Sequence, residues 1–202
     1  MGAIQSLKNW WRAIATKDEL DVWDGQPTSQ EVKESAAELK KMRASLNAWA
    51  LATFSFLGQE TAGHISVRVR KAARNEDGEM VDFVEALREG LVCDFFRSRR
   101  KAYAFLFEAR YTEDAEIIFG KVCSAYDIKD KFLYDESNDG ADPLKVLSLF
   151  KNWLLVRSFD LIIFDTGSDE YCGFLVPLGS CHEALIRLRS MEIRATNIPA
   201  EA

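Results

Sequence analysis

The chain has 202 residues, of which 48% are hydrophobic and 29% charged, with 11 Gly and 4 Pro. These fractions are ordinary for a globular protein and exclude a long disordered tail, a collagen-like repeat and a disulfide-dense miniprotein. The formal charge of −6 is uneven: residues 1–107 hold 16 basic and 15 acidic side chains, residues 108–202 hold 10 and 17. The second half should therefore repel phosphate backbones and attract basic partners, which argues against nucleic-acid binding through it.

Residues 1–15 carry Leu7, Trp10, Trp11 and Ile14 with Lys8 and Arg12 between them, an amphipathic helix rather than a secretory leader. Met1-Gly2-Ala3-Ile4-Gln5-Ser6 also fits the short pattern for N-myristoylation. Residues 16–28 read as a linker. Thr28 or Ser29 then caps a long helix with apolar residues at Val32, Ala36, Leu39, Met42, Leu46, Trp49, Thr53 and Phe56, steps of three and four on one face, and Gly58 is placed to end it. Its most apolar stretch, Leu46 to Leu57, is 12 residues long and falls short of the ~20 that cross a bilayer. Residues 64–74 fit both a strand and a helix, and the helical neighbours favour helix. Asn75-Glu76-Asp77-Gly78 is a turn, and Met80 to Leu91 make a further helix that runs to about Phe96. Two basic clusters, Arg68 to Arg74 and Arg97 to Lys101, read as solvated surfaces or helix ends.

From about 101 the pattern changes. Tyr103 to Phe107 is a short aromatic strand, Thr112 starts a helix, and 129–142 form an acidic loop. Asp142-Pro143 caps the next helix, since proline at its first position has no N–H to lose. Leu161 to Phe164 and Tyr171 to Val176 are two apolar strands joined as an antiparallel hairpin by Asp165-Thr166-Gly167-Ser168-Asp169-Glu170. Ser180 and Glu183 read as a capping box for a helix, and 192–198 return as a last strand. The order β-α-(α)-β-β-α-β predicts an α+β fold: a helical region over 1–100 packed on a ferredoxin-like antiparallel sheet with helices over 101–202, or one compact unit.

The chemistry offered is sparse. No P-loop, G-x-G-x-x-G or G-x-S-x-G occurs, and the four cysteines, Cys93, Cys123, Cys172 and Cys181, form no C-x-x-C pair. Their scatter through apolar stretches suits reduced, buried thiols in a cytoplasmic protein, with a Cys172–Cys181 disulfide as the alternative. The turn at 165–170 starts like a calcium loop, but Gly167 stands where a ligand is required and the closing Glu is missing, so no metal and no cofactor is expected. Cys181 and His182 are adjacent on a helix and point about 100° apart, which prevents a thiol–imidazole pair between them. What remains is an anionic surface made of Asp135, Glu136 and Asp139 with Asp165, Asp169 and Glu170, and two aromatic anchors beside it, Tyr134 and Tyr171.

The segment Phe159 to Tyr171, with the strand and helix after it, resembles small bacterial cytosolic proteins, among them immunity proteins of interbacterial toxin systems. That resemblance implies a non-catalytic acidic binder that occludes a toxin's active surface, and it carries over no site residues. The alternative reading is a small intracellular enzyme that uses Asp165 and Asp169 with His182.

Overall fold

The computed structural model describes residues 29–92, 101–108, 114–134 and 142–198, with side chains from 33 onward. The chain divides after Ala44, and residues 45–202 hold the sheet together with helices from both halves of the sequence.

Helix α1 runs Ser29–Thr53, and Leu39, Met42, Leu46, Trp49 and Thr53 are buried, as their three- and four-residue spacing requires. It stops five residues short of Gly58. A 3-10 turn, Ser55–Leu57, intervenes, and Gly58, at φ 91° and ψ 152°, enters helix α2 (Gln59–Lys71). A side chain is strained at that φ, so glycine sets the corner. The ambiguous 64–74 segment is mostly helical: Ala62, Ile65, Ser66 and Val69 form its buried stripe. Ser66 is accommodated because its hydroxyl donates to Asn47 Oδ1 at 2.6 Å. Helix α3 (Phe83–Leu91) is capped by Asp82, whose carboxylate accepts the Glu85 N–H at 2.8 Å.

Strand β1 (Ala104–Glu108) is followed by helices α4 (Ala115–Ala125) and α5 (Pro143–Leu155). The Asp142 cap on α5 forms, accepting from Leu144 N–H at 2.9 Å. Strands β2 (Phe159–Asp165) and β3 (Glu170–Pro177) make the expected hairpin, helix α6 spans Cys181–Arg189, and β4 is short (Ala195–Asn197). Ser180 precedes α6 with φ −91° and ψ −4°, and its side chain makes no cap hydrogen bond, so the capping box does not form.

The sheet order is β1-β3-β2-β4, antiparallel throughout. Its β1-β3-β2 part is the split arrangement foreseen for the α+β half. The last strand lies on the outer side of β2, not beside β1. Strand alternation puts Phe105, Gly173, Ile163 and Thr196 on one face and Ala104, Phe174, Ile162 and Asn197 on the other. On the first face Phe105 meets Phe119 of α4 at 5.1 Å, and Phe119 stacks on Phe150 of α5 at 4.0 Å. On the second, Phe174 packs edge-on against Trp49 at 5.7 Å and lies 5.7 Å from Phe54. Both faces are therefore covered, and each aromatic pair adds about 0.5–1.5 kcal/mol beyond its burial. Where β1 runs out, the Tyr126 hydroxyl replaces a rung of the ladder: it donates to Tyr103 O at 2.8 Å and accepts from Leu175 N–H at 3.3 Å.

Candidate functional site

With both faces covered, the described residues leave space at the hairpin end of the sheet. At the hairpin end a cavity of about 1160 Å³ crosses all four strands. Ile163, Phe164 and Ala195 contribute apolar lining, and Glu108, Asp165, Asp169, Glu170, Arg88 and Arg194 the charges. The hairpin is built from its own polar groups. Asp165 Oδ1 accepts from Gly167 N–H at 2.8 Å, and Thr166 Oγ1 donates to Glu170 O at 3.1 Å. Gly167 sits at φ 72° in the left-handed region. Arg88 reaches Glu85 at 3.3 Å and Glu170 at 3.9 Å, so part of its charge is already met. Among the described residues, four carboxylates and two guanidinium groups line the groove, a net negative set.

Of the residues singled out from the sequence, Asp165, Asp169, Glu170 and Tyr171 come together on this groove. Tyr134 does not act as an exposed anchor. It is 8% exposed; Phe132 and Tyr134 are buried, while Leu133 between them is exposed. Phe132 lodges against Phe119 and Phe150 at 5.6 and 5.2 Å, and the Tyr134 N–H donates to Glu116 Oε1 at 2.6 Å. Asp135, Glu136 and Asp139 lie outside the described residues. Sequence reasoning missed Glu108, Arg88 and Arg194, which arrive from three separate elements. The first basic cluster is a helix end: Arg68, Arg70 and Lys71 fall in the last turn of α2, where the dipole favours cations. Arg68 donates to Lys101 O at 2.8 Å and lies over the Tyr103 ring at 5.6 Å. Arg97 to Arg100 are outside the described residues.

The opposite end of β2 holds a second polar cluster, and it is buried. Lys151 of α5 and Asp160 of β2 pair at 3.4 Å with side chains 8% and 11% exposed. The Lys151 ammonium also donates to Asn197 Oδ1 and to Ile198 O. Asn197 Nδ2 in turn donates to Asp160 Oδ2 at 2.8 Å and to Cys181 Sγ at 2.7 Å. Asp160 Oδ1 accepts the Leu161 N–H at 2.8 Å, which completes the set. Burial pushes the Cys181 thiol up, against the lowering effect of the Asn197 hydrogen bond. Such a thiol is a poor nucleophile at neutral pH.

His182 follows Cys181 and is exposed. Cys181 is tied through Asn197 to Asp160, and Asp165 is five residues further along the strand, roughly 16 Å away at 3.3 Å per residue. The fold thus separates His182 from the Asp165–Glu170 turn. Among the described residues no three His, Cys, Asp or Glu side chains are grouped to hold a metal ion, and no helix is long and apolar enough to cross a membrane.

The model of one protein family, described as a domain of unknown function (DUF6630), matches residues 7–197, and the chain belongs to that family. No curated protein and no solved structure matches it.

Proposed function

We propose that this chain is a non-catalytic binding domain of the immunity type, which docks a basic protein partner, a toxin domain, on the negative groove at the 165–170 end of its sheet. The observation that carries the reading is the convergence of Glu108, Asp165, Asp169 and Glu170 on one cavity with Tyr171 beside them. Such a surface steers a cationic partner and raises its association rate, most of all at low salt. The separation of His182 from Asp165 favours binding over the enzyme reading.

The test uses a decalysine peptide as probe, with decaglutamate as control. Exposed charge pairs contribute about 0.2–1 kcal/mol each, so Asp165→Lys with Asp169→Lys should weaken decalysine on the order of tenfold and flatten its salt dependence. Unchanged decalysine affinity in the double variant, or equal binding of decaglutamate, refutes the acidic docking face. The toxin assignment has its own test: co-expression with the product of the neighbouring gene should restore growth that this product alone arrests, and growth unaffected by co-expression rejects it.

A further inference from the structure

We infer that the segment docked at this groove is an extended, net-basic peptide that joins the sheet as a fifth strand along the outer edge of β4. The inference rests on the acidic docking reading and adds how the partner is held.

Strand β4 is the last in the order β1-β3-β2-β4, and among the described residues only β2 pairs with it. The phase of that pairing is fixed by the Asp165 N–H, which donates to Arg194 O at 2.9 Å. In an antiparallel ladder hydrogen-bonded pairs alternate, so Arg194 and Thr196 direct their backbone groups at β2. Ala195 and Asn197 then direct theirs outward, where a further strand would receive them, displacing at Asn197 O the Thr196 hydroxyl that donates to it at 3.3 Å. Arg194, Ala195 and Thr196 also line the groove, so the open edge and the negative cavity are continuous. A basic residue of the added strand meets Asp165 and Asp169, and the exposed Arg194 takes a carboxylate or carbonyl oxygen.

The edge is also held ready. The Asn197 side chain turns inward and is fastened to Lys151, Asp160 and Cys181. A strand so anchored loses little freedom when a partner pairs with it. Its three residues limit the ladder to the groups of Ala195 and Asn197, which is enough for specificity of backbone direction but leaves much of the affinity to charge.

The probe is an acetylated Lys-Val-Lys-Val-Lys-Val amide, together with the two versions N-methylated at alternate residues, which keep every charge and remove the donors of one edge or the other. Ala195→Pro removes an outward N–H that has no backbone partner among the described residues, a position where strands tolerate proline. The parent peptide should bind. Ala195→Pro and one N-methylated version should each lose at least tenfold, and Asp165→Lys with Asp169→Lys should lose a similar factor. Loss on charge reversal, with full binding by Ala195→Pro and by both N-methylated peptides, overturns strand addition and leaves the acidic docking face standing. Indifference to all of these overturns both. Should Ala195→Pro fail to fold by circular dichroism, the N-methylated pair decides alone. A concentration-dependent dimer that Ala195→Pro abolishes assigns the edge to a second copy of the chain and overturns the peptide.

Discussion

Replacing Lys151 by Met should be among the most damaging single changes to the fold. The ammonium is the cation beside Asp160, and both side chains are nearly closed to solvent, at 8% and 11% exposure. Removing it leaves a buried carboxylate with its Asn197 and Leu161 donors but no counter-charge, and also strips a donor from Asn197 Oδ1 and Ile198 O. Breaking a buried pair on one side costs about 3–5 kcal/mol. Against a total stability of about 5–15 kcal/mol that is about a fifth or more of what holds the domain folded. At about 2–4 °C per kcal/mol for a domain of this size, the melting temperature should fall by roughly 6–20 °C. The pair is also coupled. Lys151→Met combined with Asp160→Asn should cost less than the two changes summed, by about 0.5–3 kcal/mol. Urea unfolding followed by tryptophan fluorescence measures all four corners of that cycle, provided the denaturant slope stays constant. A loss under about 1 kcal/mol for Lys151→Met, or strict additivity, would refute the claim that this pair is a single buried unit.

Three other outcomes follow from the packing. Tyr126→Phe deletes the hydroxyl that spans β1 and β3, orphaning Tyr103 O and Leu175 N–H, and should cost about 1–3 kcal/mol in thermal melts; a neutral result means that water or a backbone shift restores the rung. Gly173→Ala puts a Cβ 2.5 Å from the Phe105 ring, and Gly90→Ala puts one 2.6 Å from Val69 Cα. A ring can tilt and a backbone cannot, so both should destabilise, by about 1–3 kcal/mol for Gly173→Ala and by more for Gly90→Ala; the reverse order contradicts this account of the α2–α3 crossing. Burial raises the Cys123 thiol to about 12 and also raises Cys172 and Tyr126. The unfolded chain releases these protons from about pH 9 to 10 while the folded chain keeps them, so stability should be level up to about pH 8 and fall above 9, by at most about 1.4 kcal/mol per pH unit per group. Equal urea midpoints at pH 8 and pH 10.5 would refute it.

What the sequence disclosed followed the range over which its signals act. The hairpin was legible because Leu161 to Phe164 and Tyr171 to Val176 are two apolar runs beside a turn whose Asp and Gly carry a local mechanism. The α5 start was legible for the same reason, since Asp142 and Pro143 act on their own neighbours. Residues 64–74 alternate like a strand, yet their fate is set by the stripe Ala62, Ile65, Ser66 and Val69 and by a hydroxyl bond to Asn47, 19 residues away. The capping box failed although both residues stand at the right spacing, because the chain enters α6 from a helical rather than an extended Ser180. The groove shows the same division. Asp165, Asp169, Glu170 and Tyr171 are close in the chain and were found; Arg88 and Glu108 reach it from α3 and β1, and Arg194 from just before β4. Lys151 and Asn197 are 46 residues apart, and neither spacing nor residue type announces that they meet.

That last meeting accounts for the placement of β4. Sheet register is ordinarily set by which side chains must be buried, and a slip of one residue turns the pattern over. Ala195-Thr196-Asn197 offers almost nothing of that kind, with intermediate, exposed and intermediate burial. The flanking Ile193 and Ile198 are buried, and Asn197 adds a polar constraint within the strand itself. One amide bonds a lysine of α5, a carboxylate of β2 and a thiol of α6, and a slip of one or two residues in β4 would carry it away from all three. Buried ionic groups are weak evidence for stability, and their best-attested use is to fix a register. Here the register has a consequence at the other end of the strand. It places Arg194, Ala195 and Thr196 on the groove and decides which backbone groups of β4 face outward. The buried cluster and the exposed carboxylates are therefore two ends of one device: the first holds a three-residue edge in place, and the second gives that edge its charge.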